Sequence, residues 1–149
     1  MAKKQRNERK DFQILDRKDL QRLAELHAEE ATILVANGKE QGAYYLCGLA
    51  VECALKACLA KGTKQHEFPN KDYAAKVYVH DLNELLKVAG LQDQRATDER
   101  TNPALAANWG VVMGWTVESR YEHSGLPGTD MCTALNSPDG VLTWIKRHW

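Results

Sequence analysis

The pattern of apolar and polar residues along this chain predicts helices joined by turns, and no segment shows the strict alternation typical of β-strands. The longest apolar run covers residues 42–60, GAYYLCGLAVECALKACLA, and is rich in small residues. Its only charged residues are Glu52 and Lys56, four positions apart. We expect a helix this apolar to be surrounded by other helices, and we expect its buried charge to have a partner elsewhere in the fold.

Two long helices are predicted in the first half of the chain. Apolar residues recur at three- and four-residue steps in the first helix, which is expected to begin near Asp16 and to end at Gly38. The positions assigned to its apolar side are Leu20, Leu23, Leu26 or His27, Ala31 and Leu34. The second helix is predicted over residues 39–61, with Gly62 as its stop. Because so few residues join them, the two helices are expected to be antiparallel neighbours.

Shorter segments follow the second helix. A polar loop is predicted over residues 62–72, and a short helical piece over residues 72–79. His80 and Asp81 precede an apolar run and are predicted to open a helix that continues to Val88, with Asp81 suited to its N-terminus. Residues 92–100 are strongly charged, and we expect them to form one or two helical turns.

A helix over residues 103–121 is predicted to bring bulk to the core. It starts with a proline, which suits the first helical position, and it carries Trp109 and Trp115. We expect these large side chains to pack against the small residues of the second helix. The last helical segment is predicted to be interrupted at residues 137–140, with Ser137 as the N-cap of its second part.

Length and charge indicate one soluble domain. The chain has 149 residues, and we expect a mobile basic tail over residues 1–11 and a single helical bundle over residues 12–149. Its 20 basic and 20 acidic residues give a formal net charge of zero. This balance does not favour broad electrostatic attraction to nucleic acid, although it leaves room for a local basic patch.

The sequence predicts a cytoplasmic protein without a membrane partner. The basic first ten residues are not followed by the apolar stretch of a signal peptide. Residues 42–60 approach the length of a membrane span, but Glu52 and Lys56 lie near the middle of the run and argue against one.

No metal site and no cofactor are predicted. The sequence contains no phosphate-binding loop, dinucleotide fingerprint, zinc-protease motif or serine-hydrolase elbow. The four cysteines show no spacing typical of zinc ligands, and we interpret them as small buried residues in a reducing compartment. They are Cys47, Cys53, Cys58 and Cys132.

The residues richest in chemistry lie at positions 109–123. Arg120 is predicted to pair with Glu52 of the second helix, because an Arg–carboxylate fork satisfies several buried donors and acceptors at once. Two interpretations of this pair are open. In the first, it only fixes the register of the two helices. In the second, Arg120, Tyr121 and His123 line a shallow cleft that holds a phosphate or a base.

The chain resembles the HEPN domain family in the order of four stretches: AYYLCGLAVECALKACLA, HDLNELL, NWGVVMGWTVESRYEHSG and the closing GVLTWIKRHW. The resemblance covers residues 12–149. It implies an all-α, antiparallel, up-and-down bundle of four to five helices, similar to the C-terminal domain of kanamycin nucleotidyltransferase.

The same resemblance implies partners. Members commonly form homodimers, and many act in toxin–antitoxin, phage-defence or RNA-processing systems, often beside a minimal nucleotidyltransferase partner. The apolar and aromatic content of the helix predicted over residues 103–121 also favours a homodimer interface.

Catalytic members of the family are metal-independent RNases that carry an Arg followed, after four to six residues, by a His. In this chain only two residues separate Arg120 from His123. The departure favours a non-catalytic member that binds a nucleotide, RNA or a partner protein. The residues assigned to this binding are Arg120, Tyr121, Glu52, Lys56 and Tyr45.

Two alternatives to the non-catalytic interpretation stay open. The first is an RNA endonuclease toxin in which Arg120 stabilises the charged transition state while His123 moves a proton. The second is a purely structural interaction module.

Overall fold

The described part of the chain is an all-α bundle. The computed structural model describes residues 15–62, 75 and 78–149, and within them no β-strand occurs. The α-helices are α1 (Arg17–Ala36), α2 (Glu40–Lys61), α3 (Leu82–Val88), α4 (Gln92–Thr101), α5 (Pro103–Val112), α6 (Gly128–Asn136) and α7 (Val141–Lys146). A 3₁₀-helix, Val117–Tyr121, lies between α5 and α6. The predicted all-α class is confirmed.

Some predictions fall outside these residues. The tail predicted over residues 1–11, most of the loop predicted over 62–72, and most of the short helix predicted over 72–79 belong to the part of the chain that the structure does not describe.

α1 begins and ends where its sequence predicts. The Asp16 carboxylate accepts a hydrogen bond from the Asp19 backbone N–H at 2.8 Å, and the Asp19 carboxylate accepts one from the Asp16 N–H at 3.1 Å. This reciprocal pair is a capping box, which satisfies donors that the first turn leaves free. Gly38, with a φ of 71°, ends the helix.

The face of α1 that is buried consists of alanines, not leucines. Ala24, Ala28 and Ala31 are the buried residues of this helix. Ala31 was predicted on this side of the helix; of the alternatives Leu26 and His27, Leu26 is 44% exposed and His27 is partly buried, and Ile33 is 62% exposed. Small side chains on α1 and α2 let the two backbones approach closely, and this close contact leaves no room for larger side chains between them.

α2 is the central helix. It packs against α1, α3, α6, α7 and the 3₁₀-helix, and its buried residues extend from Ala43 to Leu59. By length and composition alone α2 could cross a membrane, but 67% of its most apolar window is buried inside the fold. This burial agrees with the prediction that other helices surround residues 42–60.

The helix predicted over residues 103–121 is wrong in its second half. α5 ends at Val112, and the chain turns before the 3₁₀-helix begins at Val117. Gly110 and Gly114 lie on either side of this break, and glycine weakens a helix because it loses the most backbone entropy on folding.

The turn after α5 places Trp115 directly on α2. A Cβ atom added to Gly48 would lie 1.9 Å from Cε2 of Trp115, so the indole occupies the space that any larger residue would need. The predicted packing of a large side chain against a small one is therefore confirmed for this pair. Trp109 instead meets Trp144 of α7 edge-on, with ring centroids 5.7 Å apart and an interplanar angle of 82°.

α4 is a full helix that has no buried residue. Two side chains attach it to the bundle. The Arg95 guanidinium lies 4.6 Å from the centroid of the Trp109 ring. The Asp98 carboxylate accepts a 2.8 Å hydrogen bond from the Trp144 indole N–H, and this bond lowers the pKa of Asp98. The prediction of one or two helical turns over residues 92–100 was therefore too short, because α4 has 10 residues.

The start of α6 is fastened to the start of α2. The Glu40 carboxylate accepts hydrogen bonds from the backbone N–H and the hydroxyl of Thr129. These bonds lower the pKa of Glu40. A Cβ atom added to Gly128 would lie 2.2 Å from the Glu40 carbonyl oxygen, so the two backbones are in direct contact.

The predicted interruption over residues 137–140 is confirmed, but its capping is not as expected. α7 begins at Val141 with Gly140 as its N-cap, and Ser137 is the C-cap of α6. The Ser137 carbonyl accepts hydrogen bonds from the Gly140 N–H and the Thr143 hydroxyl. These two bonds close a turn over Pro138, which postpones the start of the helix.

We predict that Gly48→Ala destabilises the fold, because its Cβ would collide with the Trp115 ring. Overpacking of this kind costs about 1–3 kcal/mol or more in the free energy of unfolding. Gly110→Ala is the matched control, since a Cβ at Gly110 meets nothing within 4 Å. It should be neutral or stabilise by up to about 1 kcal/mol. Urea denaturation of both variants tests the pair, and equal midpoints would contradict the Gly48–Trp115 contact.

Candidate functional site

The structure divides the five predicted binding residues into two groups. Glu52 and Lys56 lie with His80, beside a cleft. Arg120 and Tyr121 lie with Tyr45, on the exposed side of the 3₁₀-helix. Trp115 touches both groups, because it lines the cleft and stacks with Tyr45 at a centroid distance of 6.1 Å and an interplanar angle of 27°.

Glu52 is buried in α2, where its carboxylate has two hydrogen-bonding neighbours. The Lys56 Nζ atom donates to Oε1 at 2.8 Å, which is the i,i+4 contact that the helix geometry permits. The Nδ1 atom of His80 lies 3.0 Å from both Oε1 and Oε2. Only 7% of the Glu52 side chain is exposed, against 52% for His80. Two partners on one carboxylate explain how a buried charge is tolerated in the central helix.

These contacts fix the tautomer of His80. An ionised carboxylate only accepts hydrogen bonds, so Nδ1 must carry the proton that it donates to Glu52. The neutral imidazole then has its lone pair on Nε2. Asp81, the next residue, caps α3 by accepting a 3.1 Å hydrogen bond from the Glu84 N–H, as predicted. The start of α3 therefore holds His80 in place on its C-terminal side.

The predicted pair of Glu52 with Arg120 is wrong. Arg120 lies on the 3₁₀-helix and is exposed, and the ion-pair partners of Glu52 among the described residues are Lys56 and His80. The cause is the break after α5. A continuous helix would have kept Arg120 on an apolar helix that faces the core, whereas the turn brings Trp115 to α2 and turns Arg120 to solvent.

A cleft opens beside His80. It has a volume of about 280 Å³ and is lined by residues 80–83 on one wall and by residues 113 and 115–118 on the other. Its ionisable groups are His80, Asp81 and Glu118, so it presents two carboxylates and an imidazole. A cleft with this charge accepts donor or cationic groups and repels phosphate. The sequence analysis assigned His80 to the start of a helix and missed both its contact with Glu52 and its place in the cleft. A histidine before the Asp81 cap was an available partner for Glu52.

The second group, which we call the Arg120 platform, consists of Arg120, Tyr121 and Tyr45. The Arg120 guanidinium lies 4.9 Å from the centroid of the Tyr121 ring. The neighbouring phenol of Tyr121, and after it that of Tyr45, raise the pKa of Arg120. A guanidinium is always charged, so this group is a fixed cation. Tyr121 is 74% exposed. Within the described residues no carboxylate forms an ion pair with Arg120.

His123 follows the platform but does not share its helix. The 3₁₀-helix ends at Tyr121, and Glu122 has extended backbone angles. Arg120 and His123 are both exposed. Among the residues that the structure describes, no group of three or more His, Cys, Asp or Glu side chains could hold a metal ion.

The comparisons with known proteins do not identify the chain. No family model matches it, and neither a curated protein nor a solved structure shows a significant match. The resemblance to the HEPN family therefore stays a prediction that rests on the sequence motifs.

We predict energetic coupling between Glu52 and His80, and none between Glu52 and Arg120. In a double-mutant cycle, Glu52→Ala with His80→Ala should give a coupling free energy on the order of 1 kcal/mol, a modest value because His80 is half exposed. Glu52→Ala combined with Arg120→Ala should be additive. Urea denaturation of the single and double variants measures both cycles. Coupling confined to the Arg120 cycle would restore the original prediction.

Proposed function

We propose that this protein is a non-catalytic HEPN-like module that binds single-stranded RNA or a nucleotide at the Arg120 platform. The observation that carries the proposal is an exposed guanidinium stacked on an exposed phenol, with no carboxylate partner among the described residues. We further propose that the helices form the antiparallel, up-and-down arrangement of that family. The expected setting is a cytoplasmic toxin–antitoxin or defence-type system.

The chemistry of the platform suits a nucleotide. A guanidinium binds phosphate oxygens through paired hydrogen bonds, and an exposed aromatic ring stacks with an unpaired base. Arg120 supplies the first contact and Tyr121 the second. Tyr45 supports Arg120 from α2, and Tyr45 is itself supported by the Trp115 ring. The net charge of zero fits a local contact of this kind, not a broad basic surface.

The distribution of charge favours the platform over the cleft as the phosphate contact. Asp81 and Glu118 line the cleft, and their carboxylates would repel a phosphate held there. Arg120 lies outside the cleft lining. A bound nucleotide would therefore place its phosphate at Arg120 and leave the acceptor-rich cleft to donor groups.

A non-catalytic role is supported by the positions of Arg120 and His123. Phosphodiester cleavage without metal needs a cation and a proton-transfer group fixed around one phosphate. Here both side chains are exposed, the 3₁₀-helix ends between them, and the spacing is shorter than in catalytic relatives. Nothing in the described contacts fixes His123 toward Arg120.

We predict that Arg120→Ala and Tyr121→Ala each weaken binding of a short single-stranded RNA by about 5- to 150-fold, since a charged hydrogen bond and a stacked base each contribute about 1–3 kcal/mol. Arg100→Ala is the matched control, because Arg100 is also exposed but lies at the end of α4. Fluorescence anisotropy measures the affinity of each variant. Repeating the titration at a second salt concentration shows whether Arg120→Ala reduces the salt dependence, as the loss of one phosphate contact should.

Equal effects of the Arg120 and Arg100 changes would contradict the platform. If wild type shows no RNA or nucleotide binding at high protein concentration, the purely structural interaction module becomes the better description. The same RNA, examined for cleavage, separates the enzyme alternative. Cleavage by wild type that is lost in Arg120→Ala with His123→Ala would establish an endonuclease.

The proposed partners are a second copy of this chain and a minimal nucleotidyltransferase. The tryptophans that suggested a dimer contact on the helix after Pro103 are buried inside the chain, with Trp109 at 0% and Trp115 at 4% exposure. α1 offers a different surface. Leu26 and Ile33 are seven positions apart, hence on one face, and both are exposed.

We predict that Ile33→Glu shifts the protein from dimer to monomer in sedimentation at micromolar concentration. Val111→Glu is the matched control, because Val111 is an exposed apolar residue on a different helix, α5. Monomeric wild type would refute the homodimer, and an equal effect of both changes would refute α1 as its surface.

A further inference from the structure

Cys47 of α2 and Cys132 of α6 bring two thiols into direct contact. Their Sγ atoms lie 3.1 Å apart, although 85 positions separate them in the sequence. Both are free thiols. Cys47 is fully buried, and Cys132 is 8% exposed. Ordinary apolar contacts between heavy atoms are near 4 Å, so the two sulfurs are closer than packing alone requires.

The two thiols differ in their environment. The hydrogen bond between them and burial in the core raise the pKa of Cys47. The same hydrogen bond, which stabilises a thiolate on Cys132, lowers the pKa of Cys132. Cys132 is also the more exposed member of the pair. Cys132 is therefore the better nucleophile toward a small oxidant, and Cys47 is placed to react with the product.

The other cysteines lack these features. Burial raises the pKa of Cys53 to about 11 and that of Cys58 to about 11. Neither thiol has a sulfur partner among the described contacts. They serve as internal controls, because they lie on the same helix as Cys47 but have no neighbouring thiol with which to form a bond.

We propose that Cys47 and Cys132 are a reversible oxidation site that forms an intramolecular disulfide in the presence of hydrogen peroxide. The Cys132 thiolate attacks one peroxide oxygen, the O–O bond breaks, and the departing hydroxide takes up a proton as water. The resulting sulfenic acid reacts with the Cys47 thiol, the S–S bond forms, and a second water leaves. Two thiols lose two electrons and two protons, and peroxide is reduced to two waters.

The fold prepares the pair for this reaction. The contact of Gly128 with the Glu40 backbone and the hydrogen bonds from Thr129 to Glu40 hold the first turn of α6 against α2. A disulfide needs a sulfur separation of about 2.05 Å, so the sulfurs must move about 1 Å closer than their present 3.1 Å. The bond would then link two helices through residues far apart in sequence, which constrains the unfolded chain most strongly.

The test uses the full chain, reduced and then exposed to hydrogen peroxide, followed by blocking of free thiols and peptide mass mapping without reduction. We expect a linked peptide that contains Cys47 and Cys132, with the loss of two hydrogen atoms, and free Cys53 and Cys58. Dithiothreitol should reverse the link. We also expect the midpoint of thermal unfolding to rise by roughly 10 °C on oxidation.

Matched variants separate this chemistry from general oxidation. Cys53→Ser with Cys58→Ser should keep both the link and the thermal shift. Cys47→Ser should lose the link but leave a sulfenic acid on Cys132 that dimedone traps. Wild type mapping alone decides the proposal if a variant fails to fold. It is overturned if native wild type gives no Cys47–Cys132 peptide while the urea-unfolded chain is oxidised, or if the native link involves Cys53 or Cys58.

Discussion

The contact between Trp115 and Gly48 is the constraint on which both candidate surfaces depend. The indole lies where any side chain larger than hydrogen at position 48 would have to be. From this position it stacks with Tyr45, which supports the Arg120 platform, and it forms part of the cleft beside His80. The close approach of Trp115 to α2 thus positions both the cationic Arg120 platform and the carboxylate-lined cleft beside His80.

Glu52 shows how a buried charge selects its partner. A carboxylate in the core needs donors within hydrogen-bond distance, and the nearest are one helical turn along α2 and at the start of α3. Lysine and histidine keep part of their own surface in water, so each is desolvated less than a fully buried arginine would be. The result is a charge that the protein tolerates and a half-exposed imidazole whose Nε2 atom is left as an acceptor.

The sequence was sufficient for features that depend on local chemistry. The start of α1 near Asp16, its stop at Gly38, the cap at Asp81 and the apolar central helix all follow from residues within a few positions of each other. It was insufficient where distant packing decides. The break after α5 depends on the contact between Trp115 and Gly48. Because of this break Arg120 is exposed to solvent, and His80 binds Glu52 in its place. Likewise, the alanine face of α1 depends on how closely α2 approaches it.

α4 illustrates a different consequence of attachment by side chains. None of its residues is buried, and its contacts with the core run through Arg95 on Trp109 and Asp98 on the Trp144 indole. Such a segment loses little apolar burial when it detaches. Its amide protons should therefore exchange with solvent through local opening, at a lower free energy than those of α2, which exchange only when the whole bundle unfolds. The surface beside Trp109 and Trp144 would be the first part of the core to meet water.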